Sequence, residues 1–533
     1  MSTNITAAFD AWVTALGAGN VLTAPQAQAS YGQDTSAATR KILAALHVHS
    51  ADELPTILRI SQQFKIAVYP ISTGHNWGYG SALPVQDGCV ILDLSRMQKI
   101  LDFDDELGVV TVEPGVTQEM LASFLEARQL PYLVPVTGAG PTCSLLANAL
   151  ERGYGVTPEA DHFGAVTDIE AVLADGSIYR TSLNELGQPE LARLFKWGIG
   201  PYSAGLFTQS GLGIVTRLSI LLARRPECVK ACLFSIPDDS LLEETVKRIR
   251  DIKSKLPGTV AGINLMNRHR VLSMSAPYPK EKLNGNRVIP DELLSAMGKQ
   301  YQAGAWTGFI TLYGTQRMVG SAQREIRKIL RGVGSRIIFI SPERARFLEK
   351  WTQWLPGKIG RGIAGATHTL AQSLQLVNGM PNETALPLAY WKIASRQPST
   401  PRNPAVDGCG LLWYSPLVPM RPTDVRRYVK LIHDITPKHG IEPLITLTTL
   451  SDRLFDSTVP LVFDRAAPSD CQAAADCYEE LFQTGATQGW HPYRLGIENM
   501  HKISSTLSNP ANLHHRIKHM LDPEALVSPG RYS

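Results

Sequence analysis

An early loop of the chain combines glycines with ring side chains that could contact a ligand. Residues 70–84 read PISTGHNWGYGSALP, so His75, Trp77 and Tyr79 alternate with positions of high backbone freedom. Glycine adopts positive φ at little cost and lets the backbone approach a bound group closely. The pattern predicts a loop that binds a flat or phosphorylated ligand. Its alternative is a glycine-rich turn that binds nothing.

The composition is that of an ordinary globular protein. The chain has 533 residues, 44% hydrophobic and 19% charged, which is enough for two or three domains and a large core. The net charge of +4 is too small to indicate a nucleic-acid partner.

Cysteine usage and the chain start suggest a compartment. Seven cysteines are scattered without histidines at ligand spacing, which argues against a structural zinc site. The start, MSTNITAAFDAWV, has no basic region or long apolar core, and no run approaches the ~18 apolar residues of a membrane span. We expect a cytoplasmic protein without a metal, nucleic-acid or membrane partner.

Strands and turns in the first half must position the loop. A buried strand, IAVYPIS, leads into it, and a helix is predicted after Thr117, a suitable N-cap. Further strands are predicted at 88–95, 107–116 and 210–223, with a hairpin turn at Asp175-Gly176. These elements predict a mixed sheet with helices, although neither G-x-G-x-x-G nor a P-loop motif occurs.

The pattern changes near residue 225. Three strand-then-helix units follow, beginning at RRPECVKACLF, AWTGFITLYG and CGLLWYSP. They predict a second α+β domain in which helices cover an antiparallel sheet. The predicted division is 1–224, 225–494 and a C-terminal return at 495–533.

Four stretches, in this order, resemble one family of flavoproteins. They begin at STGHNWGYGS, NALERGYGVTPEADHFG, SGLGIVTRL and LDPEALVSPGR. The chain resembles the vanillyl-alcohol oxidase and p-cresol methylhydroxylase family. The resemblance implies an α+β, two-domain fold with bound FAD, in which the N-terminal part and the C-terminal tail form the flavin domain and an antiparallel sheet forms the cap.

The resemblance also assigns flavin-binding positions, with the loop glycines cradling the pyrophosphate through backbone N–H groups. These positions are Ser72, Thr73, Gly74, His75, Asn76, Gly78, Gly80, Ser81, Pro114, Gly115, Ser144, Asn148, Glu151, Arg152, Gly153, Gly155, Gly213, Ile214, Val215 and Arg531.

His75 has two interpretations. In the wider flavoprotein superfamily, a histidine at this position is often bonded to the 8α-methyl group of the flavin. His75 either forms this bond or only donates a hydrogen bond to a phosphate. Cys143 is in the wrong register for a second bond, and a buried structural role is the simpler interpretation.

The family members that oxidise para-substituted phenols bind the phenolate with two tyrosines and an arginine. The resemblance places Tyr79, Tyr493 and Arg494 in these roles. A charged arginine favours the phenolate, which is a better hydride donor than the phenol, and hydride loss gives a p-quinone methide. The alternative has Tyr79 packed beside the adenine and Tyr493-Arg494 in a surface turn.

The residues that would handle protons depart from the family pattern. The segment PVTGAGPTCSLLA lacks the acidic residue that family phenol oxidases carry near the flavin. Asp456 has two interpretations, a substitute for a family carboxylate or a solvated loop residue, of which the second is preferred, and His162 is interpreted as a structural histidine. His491, two positions before Tyr493, is the candidate general base.

Several functions therefore stay open. The first is an oxidase of 4-alkylphenols or 4-hydroxybenzyl alcohols that uses dioxygen, and the second is a dehydrogenase that passes electrons to a cytochrome or another carrier. The third is an oxidase of a non-phenolic alcohol, sugar or amine, and the fourth is a flavin-fold protein without redox turnover. A homo-oligomer is expected, because relatives commonly assemble.

Overall fold

The strands form three sheets. The structure is a computed structural model that describes residues 3–352, 354, 357–393, 397–503 and 512–532. The strands are β1 Val21–Thr23, β2 Ile42–His47, β3 Val68–Ile71, β4 Cys89–Asp93, β5 Ile100–Asp104, β6 Val109–Val112, β7 Val166–Leu173, β8 Ile178–Arg180, β9 Gly213–Leu221, β10 Cys228–Ile236, β11 Val260–Asn267, β12 Trp306–Gly314, β13 Ser335–Ile340, β14 Cys409–Tyr414, β15 Leu417–Pro419, β16 Thr446–Thr449 and β17 Leu454–Asp464.

The helices mostly connect or cover these strands. They are α1 Thr3–Leu16, α2 Ala24–Tyr31, α3 Leu54–Phe64, α4 Gln118–Ala127, α5 Leu145–Leu150, α6 Ser182–Glu185, α7 Pro189–Leu194, α8 Leu242–Lys255, α9 Arg268–Ser275, α10 Asp291–Gln300, α11 Gln316–Ile329, α12 Pro342–Thr352, α13 Gly357–Val377, α14 Pro422–Ile435, α15 Pro468–Thr487 and α16 Leu513–Leu521. Within the described ranges, none of these helices has the length and apolar character needed to cross a bilayer.

The first sheet holds the strand that leads into the glycine loop. Its order is β1-β2-β4-β3, with β4 parallel to both β2 and β3 and β1 antiparallel, which confirms a mixed sheet. The apolar stripe of α3 packs in the same core cluster through Leu54, Ile57 and Leu58, all fully buried. The loop therefore starts from a buried strand at one end of this sheet.

The second sheet is antiparallel, in the order β5-β6-β9-β7-β8. The predicted turn at Asp175-Gly176 joins β7 and β8, and Gly176 has a φ of +84°. Thr117 caps α4 as predicted, because its hydroxyl accepts a hydrogen bond from the N–H of Met120 at 3.2 Å.

The third sheet forms the cap. Its order is β13-β10-β12-β11-β16-β17-β14, with β15 also paired to β17, and every pairing is antiparallel. The helices of the three predicted strand-then-helix units, α8, α11 and α14, bury their apolar faces in the same core as these strands. The second α+β layer is therefore confirmed.

The C-terminal tail returns to the first sheet. Val527 lies parallel to Val68, with N–H to carbonyl hydrogen bonds of 2.7 and 2.8 Å on either side. The buried ammonium of Lys518 binds the carboxylate of Asp522 at 2.5 Å and the carbonyl oxygen of Gly211 at 2.7 Å. The tail thus belongs to the flavin-domain fold, as the resemblance implied. The exact boundaries at 224 and 494 stay a prediction.

Candidate functional site

The first half of the glycine loop presents free backbone donors. Among the described residues, the N–H groups of residues 73–77 find no hydrogen-bond acceptor. Gly74 has a φ of +68°, which turns the chain immediately after β3. Successive unpaired N–H groups form a concave anion-binding surface. This geometry fits the pyrophosphate of FAD.

Gly78 and Gly80, the other two glycines of the loop, are required for a different structural reason. A Cβ atom on Gly78 would lie 2.2 Å from Cδ1 of Trp413 in the cap, and one on Gly80 would lie 2.6 Å from Cγ2 of Ile497. Both residues have positive φ. Glycine is therefore required here by the close approach of the cap and the later chain, and not only by a ligand.

The loop is fixed from behind by residues that sequence reasoning missed. The buried hydroxyl of Thr35 accepts a hydrogen bond from the N–H of Gly78 at 2.8 Å. The buried carboxylate of Asp34 accepts one from the hydroxyl of Ser81 at 2.7 Å. Asp34 and Thr35 belong to no recognisable sequence motif. Their role depends on the tertiary structure, which places them next to the loop.

His75 is half-buried within the loop. Its Nδ1 atom is 2.9 Å from the hydroxyl oxygen of Thr142, and its ring stacks on Trp77 with centroids 4.9 Å apart. Burial lowers the pKa of His75, so the ring is neutral near pH 7. The indole Nε1 of Trp77 is buried without a partner in the described chain.

Pro114, Gly115 and Ser144 are three further predicted flavin positions, and two of them contact each other. The hydroxyl of Ser144 donates a hydrogen bond to the carbonyl oxygen of Pro114 at 2.6 Å and caps α5. A Cβ atom on Gly115 would lie 2.3 Å from the carbonyl oxygen of Ser95. These predicted positions therefore form a tight turn between two elements.

His162 is buried, and its Nδ1 atom contacts Oδ1 of Asn148. Gly155 lies against the ring, because a Cβ there would be 2.5 Å from Nε2. Burial lowers the pKa of His162 to about 4, and Nε2 has no partner among the described residues. The neutral ring of His162 thus packs against Gly155, and its Nε2 atom is the one left without a partner among the described residues.

Other predicted flavin positions have partners within the chain. The guanidinium of Arg152 donates to the hydroxyl of Thr208 at 3.0 and 3.2 Å. Residues 213–215 begin β9 and pair with residues 171–173 of β7. A Cβ on Gly153 would lie 2.3 Å from the side chain of Asn148.

Glu151 joins two distant arginines. Its carboxylate lies 3.2 Å from Nε of Arg494 and also contacts the guanidinium of Arg531. Arg494 further contacts the side-chain oxygen of Asn76, and Arg531 donates to the hydroxyl of Tyr69 at 3.1 Å. Glu151, assigned to FAD by resemblance, therefore organises the arginines in this structure.

The structure brings the three proposed phenol-binding residues together. The guanidinium of Arg494 lies over the ring of Tyr79, 4.2 Å from its centroid. The buried Ser415 joins the two tyrosines: its hydroxyl is 2.9 Å from the hydroxyl of Tyr79, and its carbonyl oxygen accepts from the N–H of Tyr493 at 3.1 Å. Burial raises the pKa of Tyr79 to about 12 and that of Tyr493 well above 10, so both are hydrogen-bond donors near pH 7.

Asp456 is a buried member of this cluster, so its interpretation as a solvated loop residue was wrong. It lies in β17 with 4% of its surface exposed. Its charge raises the pKa of both Tyr79 and Tyr493, and burial raises its own pKa to about 7. One carboxylate oxygen has no partner within the described chain. A buried carboxyl that titrates near 7 is a suitable proton acceptor.

The structure does not bring His491 to this cluster. Its side chain is exposed, and its backbone carbonyl oxygen accepts from the N–H of Leu417 at 3.0 Å. Alternation with Tyr493 predicted a shared face, but the segment is not a regular strand, so the alternation does not hold. Cys143 is buried, and burial raises the pKa of its thiol to about 11, which fits the structural role expected for it.

The comparisons with known proteins agree with this geometry. The family described as FAD binding domain matches residues 42–182. The chain is 33% identical to 1'-carboxy-chondrochloren decarboxylase of Chondromyces crocatus over 519 residues, covering 97% of this chain and 95% of that protein. It is 27% identical to the 4-cresol dehydrogenase (hydroxylating) flavoprotein subunit of Pseudomonas putida over 492 residues, covering 92% and 87%.

The fold matches a solved structure as well. A crystal structure of p-cresol methylhydroxylase with substrate bound has a TM-score of 0.87 and 25% sequence identity, covering 100% of this chain and 97% of that one. The chain therefore belongs to the vanillyl-alcohol oxidase and p-cresol methylhydroxylase family of FAD-dependent oxidoreductases.

Proposed function

We propose that the protein oxidises a small para-substituted phenol, such as a 4-alkylphenol or a 4-hydroxybenzyl alcohol. The observation that supports this most is the convergence of Tyr79, Tyr493 and Arg494 from distant parts of the chain. Two neutral tyrosine hydroxyls and a permanent cation suit one phenolate oxygen. An apolar alcohol or a sugar would have no use for this combination.

Arg494 stabilises the substrate anion. Glu151 lies 3.2 Å from Arg494 but is shared with Arg531, so one carboxylate faces two guanidinium groups and a net positive charge is left for the substrate anion. The phenolate then receives hydrogen bonds in a buried setting, where each is stronger than in water.

Asp456 takes the phenol proton. With a pKa of about 7, it is partly ionised at neutral pH, and its carboxylate is within electrostatic range of both tyrosines. Proton transfer to Asp456 leaves the phenolate at Arg494. This role replaces the one that sequence reasoning gave to His491.

FAD, when bound, supplies a two-electron acceptor for the hydride of the para-benzylic carbon. Loss of that hydride turns the phenolate into a neutral p-quinone methide, so charge and electrons balance. Water then adds to give an alcohol, or a second proton leaves to give an alkene or an aldehyde.

The test is anaerobic stopped-flow mixing of the flavin-loaded protein with 4-ethylphenol and 4-hydroxybenzyl alcohol. Bleaching of the oxidised flavin absorbance on mixing is expected. A panel of apolar alcohols, sugars and amines run in parallel examines the non-phenolic alternative, and reduction by these compounds alone would refute the phenol proposal. Admission of air to the reduced protein then separates dioxygen from a carrier protein as the acceptor.

A second candidate function is oxidative decarboxylation, favoured by the full-length similarity to a protein named as a decarboxylase. In a substrate with a carboxylate on the carbon next to the benzylic one, the quinone methide would accept the electron pair of the breaking C–C bond. The products would be CO2 and a 4-vinylphenol, with no further oxidant required. Release of 4-vinylphenol from 3-(4-hydroxyphenyl)propanoate would support this reaction, and recovery of the carboxylate in all products would exclude it.

A further inference from the structure

Ser415 contacts both tyrosines of the proposed phenol site. It directly follows β14 and is fully buried. Its hydroxyl oxygen lies 2.9 Å from the hydroxyl oxygen of Tyr79, and its carbonyl oxygen accepts a hydrogen bond from the N–H of Tyr493 at 3.1 Å. A single residue of the cap therefore touches the glycine loop and the segment that carries Tyr493.

Hydrogen bonds on two sides fix the backbone next to Ser415. The carbonyl oxygen of Pro416 accepts from the N–H of Ser457 in β17 at 3.0 Å. The N–H of Leu417 donates to the carbonyl oxygen of His491 at 3.0 Å. The proline ring restricts this backbone further, because it locks φ. The Cα atom of Ser415 is thus held in place, and its hydroxyl can occupy only the few positions that side-chain rotamers allow.

Within the described ranges, the hydroxyl of Ser415 has one hydrogen-bond partner, which is the hydroxyl of Tyr79. Burial of a hydroxyl without a partner costs free energy, and an alanine at this position would avoid that cost. The contact with Tyr79 is therefore the interaction that the serine hydroxyl adds to this buried position.

The order of donor and acceptor in this contact decides what Tyr79 can do. Each of the two hydroxyls carries one hydrogen. If Tyr79 donates to Ser415, it has no hydrogen left for a substrate oxygen. If Ser415 donates to Tyr79, the hydrogen of Tyr79 stays available. A phenolate oxygen is charged and is a stronger acceptor than a serine hydroxyl, so a bound phenolate favours the second order.

The neighbouring charged side chains do not compete for this contact. The guanidinium of Arg494 lies over the face of the Tyr79 ring, 4.2 Å from its centroid. In the part of the chain that the structure describes, Asp456 makes no hydrogen bond with the hydroxyl of Tyr79 or with that of Ser415. Ser415 is therefore the described group that sets the direction of the Tyr79 hydrogen.

We infer that Ser415 is a positioning residue: it donates a hydrogen bond to the hydroxyl oxygen of Tyr79 and so directs the hydrogen of Tyr79 to the phenolate oxygen of the substrate. The inference rests on the proposed oxidation of phenols. Hydrogen bonds in series polarise one another, so Tyr79 becomes a stronger donor when Ser415 donates to it. Ser415 acts through Tyr79 and does not itself bind the substrate.

The test uses 4-nitrophenol as a probe of the flavin-loaded protein. This compound has no benzylic hydrogen, so hydride transfer cannot consume it, and its phenol and phenolate forms differ in absorbance. Ser415→Ala should weaken binding of the phenolate form about threefold to tenfold, the effect of one neutral hydrogen bond. Binding of the neutral form should change less than about twofold. The value of kcat/KM for 4-ethylphenol should fall by the same factor as phenolate binding.

A double-mutant cycle with Tyr79→Phe separates positioning from a structural role. In the Tyr79→Phe background, Ser415→Ala should have no further effect on phenolate binding, because the hydroxyl through which Ser415 acts is gone. Ser457→Ala is the matched control, since it removes the hydroxyl of another fully buried serine. Ser457 pairs with Leu447 of the helix-covered core, and its loss should change neither binding nor kcat/KM.

Three results would contradict the inference or its basis. Equal losses for the phenol and phenolate forms, or the same loss in the Tyr79→Phe background, would indicate a structural role and overturn it. Unchanged phenolate binding in Ser415→Ala would overturn it as well. If the wild-type protein does not bind 4-nitrophenol as the phenolate and no phenol reduces its flavin, the proposed function itself fails, a result distinguished by its appearance in the wild type.

Discussion

The guanidinium carbon of Arg494 lies 4.2 Å from the centroid of the Tyr79 ring, which joins the glycine loop to a segment more than 400 residues later. The same guanidinium contacts Asn76 of the loop and Glu151 of the second flavin segment. One side chain thus links both predicted flavin-binding segments to the proposed phenol site, and its removal should affect binding and chemistry together.

Arg494→Ala should slow flavin reduction by 4-ethylphenol at least about 10²-fold, because the phenolate loses roughly 3 kcal/mol of stabilisation. Arg494→Lys should be intermediate, since a lysine keeps the charge but not the planar contact with Tyr79. The limiting reduction rate in anaerobic stopped-flow gives the answer. Arg453→Ala, at an exposed arginine of the cap, is the control, and an unchanged rate in Arg494→Ala would place the phenolate elsewhere.

The rate of flavin reduction should rise with pH around 7, where Asp456 loses its proton. Asp456→Asn should remove this midpoint and lower the rate, because an amide cannot accept the phenol proton. The measurement is the limiting reduction rate between pH 5 and 9. Asp452→Asn, four residues earlier and more exposed, should keep the wild-type profile. A midpoint that survives in Asp456→Asn would assign the titration to another group.

Asp456→Asn should also stabilise the fold at high pH. The unfolded chain loses this proton near 3.8 and the folded protein near 7, so unfolding releases a proton between these values and stability falls as pH rises. Above pH 7, the buried charge costs on the order of 4 kcal/mol, which the amide avoids. Thermal unfolding of the FAD-loaded proteins at pH 5 and pH 8 should show a larger gain at pH 8. An equal gain at both values would contradict the raised pKa.

The environment of His75 supports the covalent interpretation. Thr142 holds one ring nitrogen, the ring is neutral, and the other nitrogen has no partner among the described residues, so it is available to form a bond. After denaturation in acid, flavin absorbance should stay with the wild-type polypeptide and be released from His75→Ala. His491→Ala, at an exposed histidine, should retain both flavin and the rate of reduction. Release of flavin from the wild type would limit His75 to a hydrogen bond.

The buried ammonium of Lys518 should contribute strongly to the stability of the fold, because it holds the C-terminal tail in place. Its ammonium is buried against Asp522 and two carbonyl oxygens, so Lys518→Met leaves an unpaired buried carboxylate and should cost about 3–5 kcal/mol. Lys65→Met breaks an exposed ion pair with Glu524 and should cost less than about 1 kcal/mol. Urea unfolding of both variants tests the difference, and similar midpoints would contradict it.

The sequence by itself determined the local structure and the family. Hydrophobic periodicity predicted the strands around the loop and the three strand-then-helix units, because burial of an apolar face follows from spacing along the chain. The four motifs indicated the flavin-binding fold, and the resemblance placed Tyr79, Tyr493 and Arg494 in one site. These three side chains do lie together.

Only the tertiary structure decided which side chains meet from unrelated parts of the chain. Asp456 looked like a loop residue beside Asp452, yet pairing of β17 with β16 buries it and brings its pKa to about 7. His491, two residues from Tyr493, points to solvent instead. Burial and pKa depend on neighbours supplied by strand register and domain contact, and a single stretch of sequence does not contain those neighbours.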